Sequence, residues 1–363
     1  MDRRQFLGAV GTGVVTGIAG CVDAPPGGSG ETEIVDLAGR TVMIPESPER
    51  IVAVGSGCLR LVVQLEATDT VVGVEHDETT WRREVPYNIA APELSTTDVI
   101  GGNGGDPESI VAAEPDLICS TGASEELETL AERTGLPVVG LTTGQFIDLG
   151  EPLATEVWEI AGEALDRGDR ANELIEFVEA ASTDLRERID SAGDADPPST
   201  YVTGISFRGG QGLDSTRPLF APFELLGDVH NVASDVGFDG VPHVTISPEQ
   251  LLTWDPDVIF VDRTNVDLIE ADLSETSAYR ELSALQTGSV YGMLPHAQYG
   301  LNHTHALANA YGIGSVLYPD AFSDVDLDRR FDEIYEAVLG ARIYDEIADI
   351  YGAFGRLDLQ LDG

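Results

Sequence analysis

One stretch of the chain occurs twice, and that repetition limits what the sequence can fold into. The first copy reads Asp106-Pro107-Glu108-Ser109-Ile110-Val111-Ala112-Ala113-Glu114-Pro115-Asp116-Leu117-Ile118. The second reads Ser247-Pro248-Glu249-Gln250-Leu251-Leu252-Thr253-Trp254-Asp255-Pro256-Asp257-Val258-Ile259. Each has the pattern of a short helix followed at once by a buried strand. Asp106 and Ser247 suit an N-cap, where a side-chain oxygen accepts from a free backbone N–H. Pro107 and Pro248 suit the first helical position, where no N–H is needed. Glu108 and Glu249 fall in the first turn, where the positive end of the helix dipole favours a carboxylate. Pro115 and Pro256 stop each helix. The apolar runs beyond them have the continuous character of parallel-sheet strands. Two matched units so far apart predict two similar α/β lobes.

The rest of the 363 residues can be placed around those units. Residues 50–55, 71–74 and 137–141 read as further strands of the first lobe, with helices over 59–65 and 124–134. Residues 75–105 read as a long irregular connection carrying Trp81, Arg82, Arg83, Tyr87 and the glycine run around Asn103. Residues 149–192 read as helical, with a break at 166–169. From Arg170 onward Ala171, Leu174, Ile175, Val178, Ala181, Leu185 and Ile189 recur at three- and four-residue steps and form one apolar stripe. A helix of that length spans about 35 Å. It has no strand of its own, so it reads as a strut between lobes. The second lobe then offers strands at 200–204, 258–261 and 290–293, long loops at 205–221 and 294–300, and helices near 222–227 and 279–282. A helix over 303–317, with Asn302 as its cap, and two helices near 328–339 and 342–352 close the chain. The expected division is a signal over 1–20, a tether over 21–32, an N-terminal lobe over 33–148, a helical segment over 149–196 and a C-terminal lobe over 197–363.

Charge sets the next limit. The formal net charge is −44, and every one of the 20 basic residues is arginine. Self-repulsion on that scale opposes folding in dilute buffer. At molar salt the Debye length is about 3 Å, and the repulsion is screened. The simplest expectation is a halophilic protein with a solvated acidic surface. No basic patch exists to neutralise phosphates, which argues against nucleic acid as a partner.

The N-terminus reads as targeting rather than fold. Arg3-Arg4-Gln5-Phe6-Leu7 is a twin-arginine pattern. The Gly-rich run after it is too short to serve as a permanent span. Ile18-Ala19-Gly20-Cys21 resembles a lipoprotein cleavage box, and cleavage there leaves Cys21 to carry a lipid. Residues 22–31 form a flexible tether. Cys58 and Cys119 are expected as buried free thiols, although an exported protein permits a disulfide between them. No Cys/His cluster has structural-zinc spacing.

Taken in order, Asp36…Gly39-Arg40…Pro45…Arg50-Ile51-Val52, the copy ending Pro115-Asp116-Leu117-Ile118, the strut, and the copy ending Pro256-Asp257-Val258-Ile259 resemble the substrate-binding proteins of iron-siderophore and cobalamin ABC importers. The resemblance covers about residues 33–340. It is closest to archaeal members described as iron-complex binding proteins. Their counterparts include Gly57…Leu59-Arg60-Leu61-Val62, the loop 204–216, Pro222–Gly227 and Ala306–Asn309 through Tyr318-Pro319. The resemblance implies two Rossmann-like α/β lobes joined by one long backbone helix, with a ligand cleft between them. It also implies that Glu108 and Glu249, one per lobe, meet arginines of a membrane permease that works with an ATPase. The plain alternative is that both only complement their helix dipoles.

In open α/β sheets ligands gather beyond the carboxyl ends of the strands. The loops expected there bring Arg60, Arg208, Arg217, Arg263, His296 and Tyr299, and the long connection adds Trp81 and Tyr87. Arginine forks suit carboxylates and other oxyanions, as a ferric complex would offer. Surface ion pairing is the bland alternative for any one of them. Cobalamin or another corrinoid is the alternative ligand. Bare zinc or manganese is disfavoured, because His303 and His305 at i and i+2 do not share a helix face, and no metal site is expected. No phosphate loop, glycine fingerprint or Ser-His-Asp order points to an enzyme. A monomeric, lipid-anchored receptor without catalysis is the expectation, with a sensor lacking a permease as a further alternative.

Overall fold

The computed structural model describes residues 30–80, 84–141, 155–193, 197–206, 209–238, 243–297, 300 and 302–359. The signal, Cys21 and most of the tether lie outside the described residues, as do Trp81, Arg208 and Tyr299. The chain opens on an antiparallel hairpin, β1 (Glu31–Val35) and β2 (Thr41–Pro45). The first strand therefore starts inside the stretch read as tether, because Glu31 and Thr32 pair with Pro45 and Ile44. Its turn is fixed by the buried carboxylate of Asp36. That group accepts from the backbone N–H of Ala38, Arg40 and Gly140 and from the Arg40 guanidinium.

The first lobe is built on β3 (Ile51–Val54), α1 (Cys58–Gln64), β4 (Val71–Gly73), α2 (Pro86–Ala90), α3 (Pro107–Ala112), β5 (Leu117–Ser120), α4 (Ser124–Thr134) and β6 (Val138–Gly140). Its four strands pair in parallel in the order β4-β3-β5-β6. Two helices follow, α5 (Glu156–Ala164) and the strut α6 (Gly168–Ser191). The second lobe holds β7 (Thr200–Thr203), β8 (Ser215–Thr216), α7 (Ala221–Leu226), β9 (Val244–Thr245), α8 (Pro248–Trp254), β10 (Val258–Asp262), α9 (Val266–Glu275), α10 (Ser283–Thr287) and β11 (Val290–Met293). It continues through α11 (His303–Leu317), α12 (Leu327–Leu339), α13 (Tyr344–Tyr351) and β12 (Gly355–Arg356). Its sheet runs β12-β11-β10-β7, parallel except for β12.

The strut buries Ala171, Leu174, Val178, Ala181, Leu185 and Ile189, the stripe expected from the sequence, with Ile175 at its margin. Two expectations are corrected. Residues 75–105 are not irregular throughout: among the described residues they hold α2 and 3-10 turns at His76–Thr79 and Pro92–Thr96, and Val99 bridges to Val74. Asn302 does not cap α11 through its side chain, because its amide donates to the Pro295 carbonyl instead. The helix α9 lies outside the helices expected from the sequence, although Val266, Ile269 and Leu273 recur at three- and four-residue steps and pack inward.

The two repeat copies adopt one geometry. The Asp106 carboxylate accepts from Ser109 N at 3.0 Å, and the Ser247 hydroxyl from Gln250 N at 3.2 Å. Each helix ends in a left-handed non-glycine residue, Glu114 (φ 50°) and Asp255 (φ 40°), directly before its proline. A residue before proline is disfavoured in the helical region, so the chain turns there. The aspartate after each proline then ties the neighbouring parallel strand. Asp116 accepts from the N–H groups of Glu49 and Arg50, just before β3. Asp257 accepts from Ser199 N and Oγ, at 2.9 and 2.7 Å, just before β7. The Ser199 bonds also hold the Asp257 carboxyl below the usual range. The Pro-Asp pairs thus lie at the strand starts, and Glu108 and Glu249 are exposed. Asp257→Ala removes both bonds and is expected to cost about 1–2 kcal/mol. Chemical denaturation in molar salt checks this, and Asp257→Asn is expected to lose less.

Candidate functional site

The helix α1 is buried along its whole length, including Arg60 and Gln64. These two polar residues stand four apart and therefore share one face. That face meets the start of α11, in the opposite lobe. The Gln64 amide oxygen accepts from Trp158 Nε1 at 2.8 Å, and its nitrogen lies 3.4 Å from His303 Nδ1. The Trp158 and His303 rings meet edge to face at 5.0 Å. Arg60 is 5% exposed. Its guanidinium lies over the Tyr87 ring, 5.4 Å from the centroid. A Cβ on Gly300 would sit 3.4 Å from Arg60 Nη1, so the C-terminal lobe closes directly on this arginine.

Tyr87 is positioned in turn by a buried carboxylate. Its hydroxyl donates to Glu78 Oε2 at 2.8 Å, and Asn88 Nδ2 donates to the same oxygen at 2.7 Å. On the other side of the seam His305 is fully buried, with Nδ1 2.6 Å from the Pro295 carbonyl. That contact fixes Nδ1 as the protonated nitrogen of the neutral ring. Burial first, and then the nearby Arg60 and His296, push the His305 pKa down to about 3 against the pull of Pro295. His296 is buried against Phe220 at 4.6 Å, and its backbone N–H donates to Asp262 at 2.9 Å. Burial raises the Asp262 carboxyl, opposed by bonds from Thr264 and His296.

The structure therefore gathers Arg60, Tyr87 and His296 around one interlobe seam. Arg217 is buried too, near His243, whose pKa is lowered by its own burial and then by that arginine. Arg263 turns toward the C-terminal helices, so close that a Cβ on Gly292 or Gly352 would lie 2.7 Å from Nε or 2.5 Å from Nη1. Its loop sits at a strand's carboxyl end as expected, but the glycines draw the side chain away. Gln64, Glu78, Asn88 and Trp158 escaped the sequence reading, since nothing local distinguishes them. Cys58 and Cys119 are buried free thiols, and burial pushes the Cys119 thiol up to about 12. A separate groove of about 590 Å³ lies wholly on the N-terminal lobe, between the β3 and β5 loops, Asn103–Gly105 and α4. Among the described residues no His/Cys/Asp/Glu group is arranged to hold a metal ion.

Two α/β lobes spanned by one helix, with a buried polar seam between them, define a two-lobed solute-binding protein. The chain belongs to the Periplasmic binding protein family, whose profile matches residues 51–297. It is 27% identical to the molybdate-binding protein MolA of Haemophilus influenzae over 322 residues, 84% of this chain and 89% of that one. It is 24% identical to the Fe(3+)-citrate-binding protein YfmC of Bacillus subtilis over 76% of this chain and 84% of that one. A periplasmic solute-binding protein from Veillonella parvula superposes with a TM-score of 0.71 at 18% identity, covering 89% of this chain and 97% of that structure.

His305 supplies a pH test. Its folded pKa of about 3 lies below the unfolded value of about 6.5, so the fold holds the neutral ring. Stability from this residue is present above the unfolded value and is lost as pH falls toward the folded one. His305→Gln, which keeps a donor for Pro295, is expected to lose less stability than the wild type between pH 7 and 5. Melting temperatures across that range in constant molar salt check the difference.

Proposed function

We propose that this protein is the solute receptor of an ABC importer and captures a compact ferric complex rich in carboxylate oxygens. The observation that carries this reading is Arg60, a buried cation at the lobe seam of a chain with net charge −44. A guanidinium fork pairs with carboxylate in two parallel bonds. The relative YfmC is named for Fe(3+)-citrate, a ligand of that chemistry. A second reading, a molybdate-like oxyanion, is favoured by the identity to MolA and suits the same arginine. In either case the work is capture and delivery, without a reaction. The exported protein sits at the outer face of the membrane, held by lipid on Cys21, with its acidic surface adapted to molar salt. Glu108 and Glu249 are exposed on matching helices of the two lobes, where they meet the permease.

Trp158 is buried against the seam and reports on it directly. The purified protein is titrated in molar salt with ferric citrate, ferric siderophores, molybdate, cyanocobalamin and zinc, following tryptophan fluorescence. Saturable binding of a ferric carboxylate complex is expected. Binding of cobalamin or free zinc alone would overturn the proposal. Arg60→Ala removes a charge-assisted contact of about 1.5–3 kcal/mol, so affinity is expected to fall roughly 10- to 100-fold. Reversing both Glu108 and Glu249 to arginine is expected to abolish uptake into permease-bearing vesicles while solution affinity stays unchanged. Persistent uptake removes the docking role.

A further inference from the structure

Arg170, in the first turns of the strut, touches both lobes. Its Nε donates to the Gln64 carbonyl at 3.0 Å, and Nη2 donates to the Ala337 carbonyl at 2.6 Å. Gln64 ends α1 in the N-terminal lobe, and Ala337 lies in the last turn of α12 in the C-terminal lobe. The last four carbonyls of a helix have no partner within it. They also carry the negative end of the helix dipole, which favours a cation. One guanidinium therefore caps two helix ends from opposite lobes. Its side chain is 14% exposed, while its acidic partners Glu66 and Glu173 are 57% and 68% exposed. Molar salt screens the exposed ion pairs but not the shielded bonds to carbonyls.

Arg188 offers a contrast on the same helix. It bonds Asp184 of the strut and Ala321 and Asp324 of the C-terminal lobe. Arg188 therefore ties the strut to one lobe, whereas Arg170 ties it to both. The Gln64 end of α1 is also one helical turn beyond Arg60, so whatever fixes that end fixes Arg60 against α11.

We propose that Arg170 is a clasp that sets the separation of the two lobes, and through α1 the placement of Arg60. It is a positioning residue. The clasp stands on the carbonyl contacts alone, and only its effect on ligand rests on the proposed function. A lysine keeps the charge at this position, but its single nitrogen lacks the planar fork by which Nε and Nη2 reach the two carbonyls separately.

The test uses the full chain with Cys21→Ser, spin-labelled at Glu128→Cys on α4 and Glu275→Cys on α9, both exposed. The native Cys58 and Cys119 are buried and do not compete for label. Pulsed electron resonance in molar salt is expected to give one narrow interlobe distance for the parent. Arg170→Lys and Arg170→Met are expected to broaden it toward longer distances, and Arg188→Lys to leave it unchanged. Arg170 distributions that overlay the parent's overturn the clasp, as does equal broadening by Arg188→Lys. If Arg170→Met does not fold, Arg170→Lys decides. With ferric citrate and molybdate as probes, Arg170→Lys is expected to raise the dissociation rate at least fivefold. Broadening with unchanged probe kinetics overturns the link to Arg60. Failure of the parent to bind either probe counts against the proposed ligands and leaves the distance result standing.

Discussion

A helix buried from end to end must satisfy every polar group it carries, because an unmatched one costs several kcal/mol. The helix α1 is in that position, and its solution organises the molecule. Gln64 is matched by Trp158 and His303, and Arg60 faces Tyr87 and the start of α11. Tyr87 belongs to the same lobe, but Trp158 comes from the helical segment and His303 from the opposite lobe, so the polar face of α1 is completed across the seam. The polar seam is thus a contact between the lobes that also shields one cation from solvent. Charges spread over the acidic surface are screened in strong salt. A shielded arginine is not, and this chain keeps its effective electrostatics for the interior.

The duplicated unit supplies the frame on which that seam is carried. In each copy a capped helix, a left-handed residue before proline and an aspartate tied to the next strand form one block. Asp116 and Asp257 fix where β3 and β7 begin, which fixes where their loops emerge at the far end. The same block leaves Glu108 and Glu249 on the surface of their respective lobes.

Much of this was legible in the sequence, for physical reasons that differ by element. The caps and the helix stops are local chemistry, and Asp106, Ser247, Pro115 and Pro256 announce them. The strut shows itself through its period, and α11 spans the residues that the sequence predicts for it. The seam was less legible. Arg60 stands out in a chain whose cations are scarce, but Gln64 and Glu78 act through contacts that no local pattern encodes. Glu78 is one acid among 64, distinguished only by being buried under Tyr87 and Asn88. Arg263 shows the opposite error. Its loop position was right, yet Gly292 and Gly352 leave room that draws the side chain elsewhere. Arg170 carried no sign at all, since its partners lie 106 and 167 residues away.

The claim at the centre is that ligand lies between the lobes against Arg60. The most direct measurement is X-ray diffraction at the iron edge from crystals grown in molar salt with ferric citrate. An anomalous peak is expected between the lobes, with ligand oxygen within hydrogen-bonding reach of the Arg60 guanidinium. A peak confined to the N-terminal groove between Asn103 and Arg133, with the seam unchanged, would contradict it.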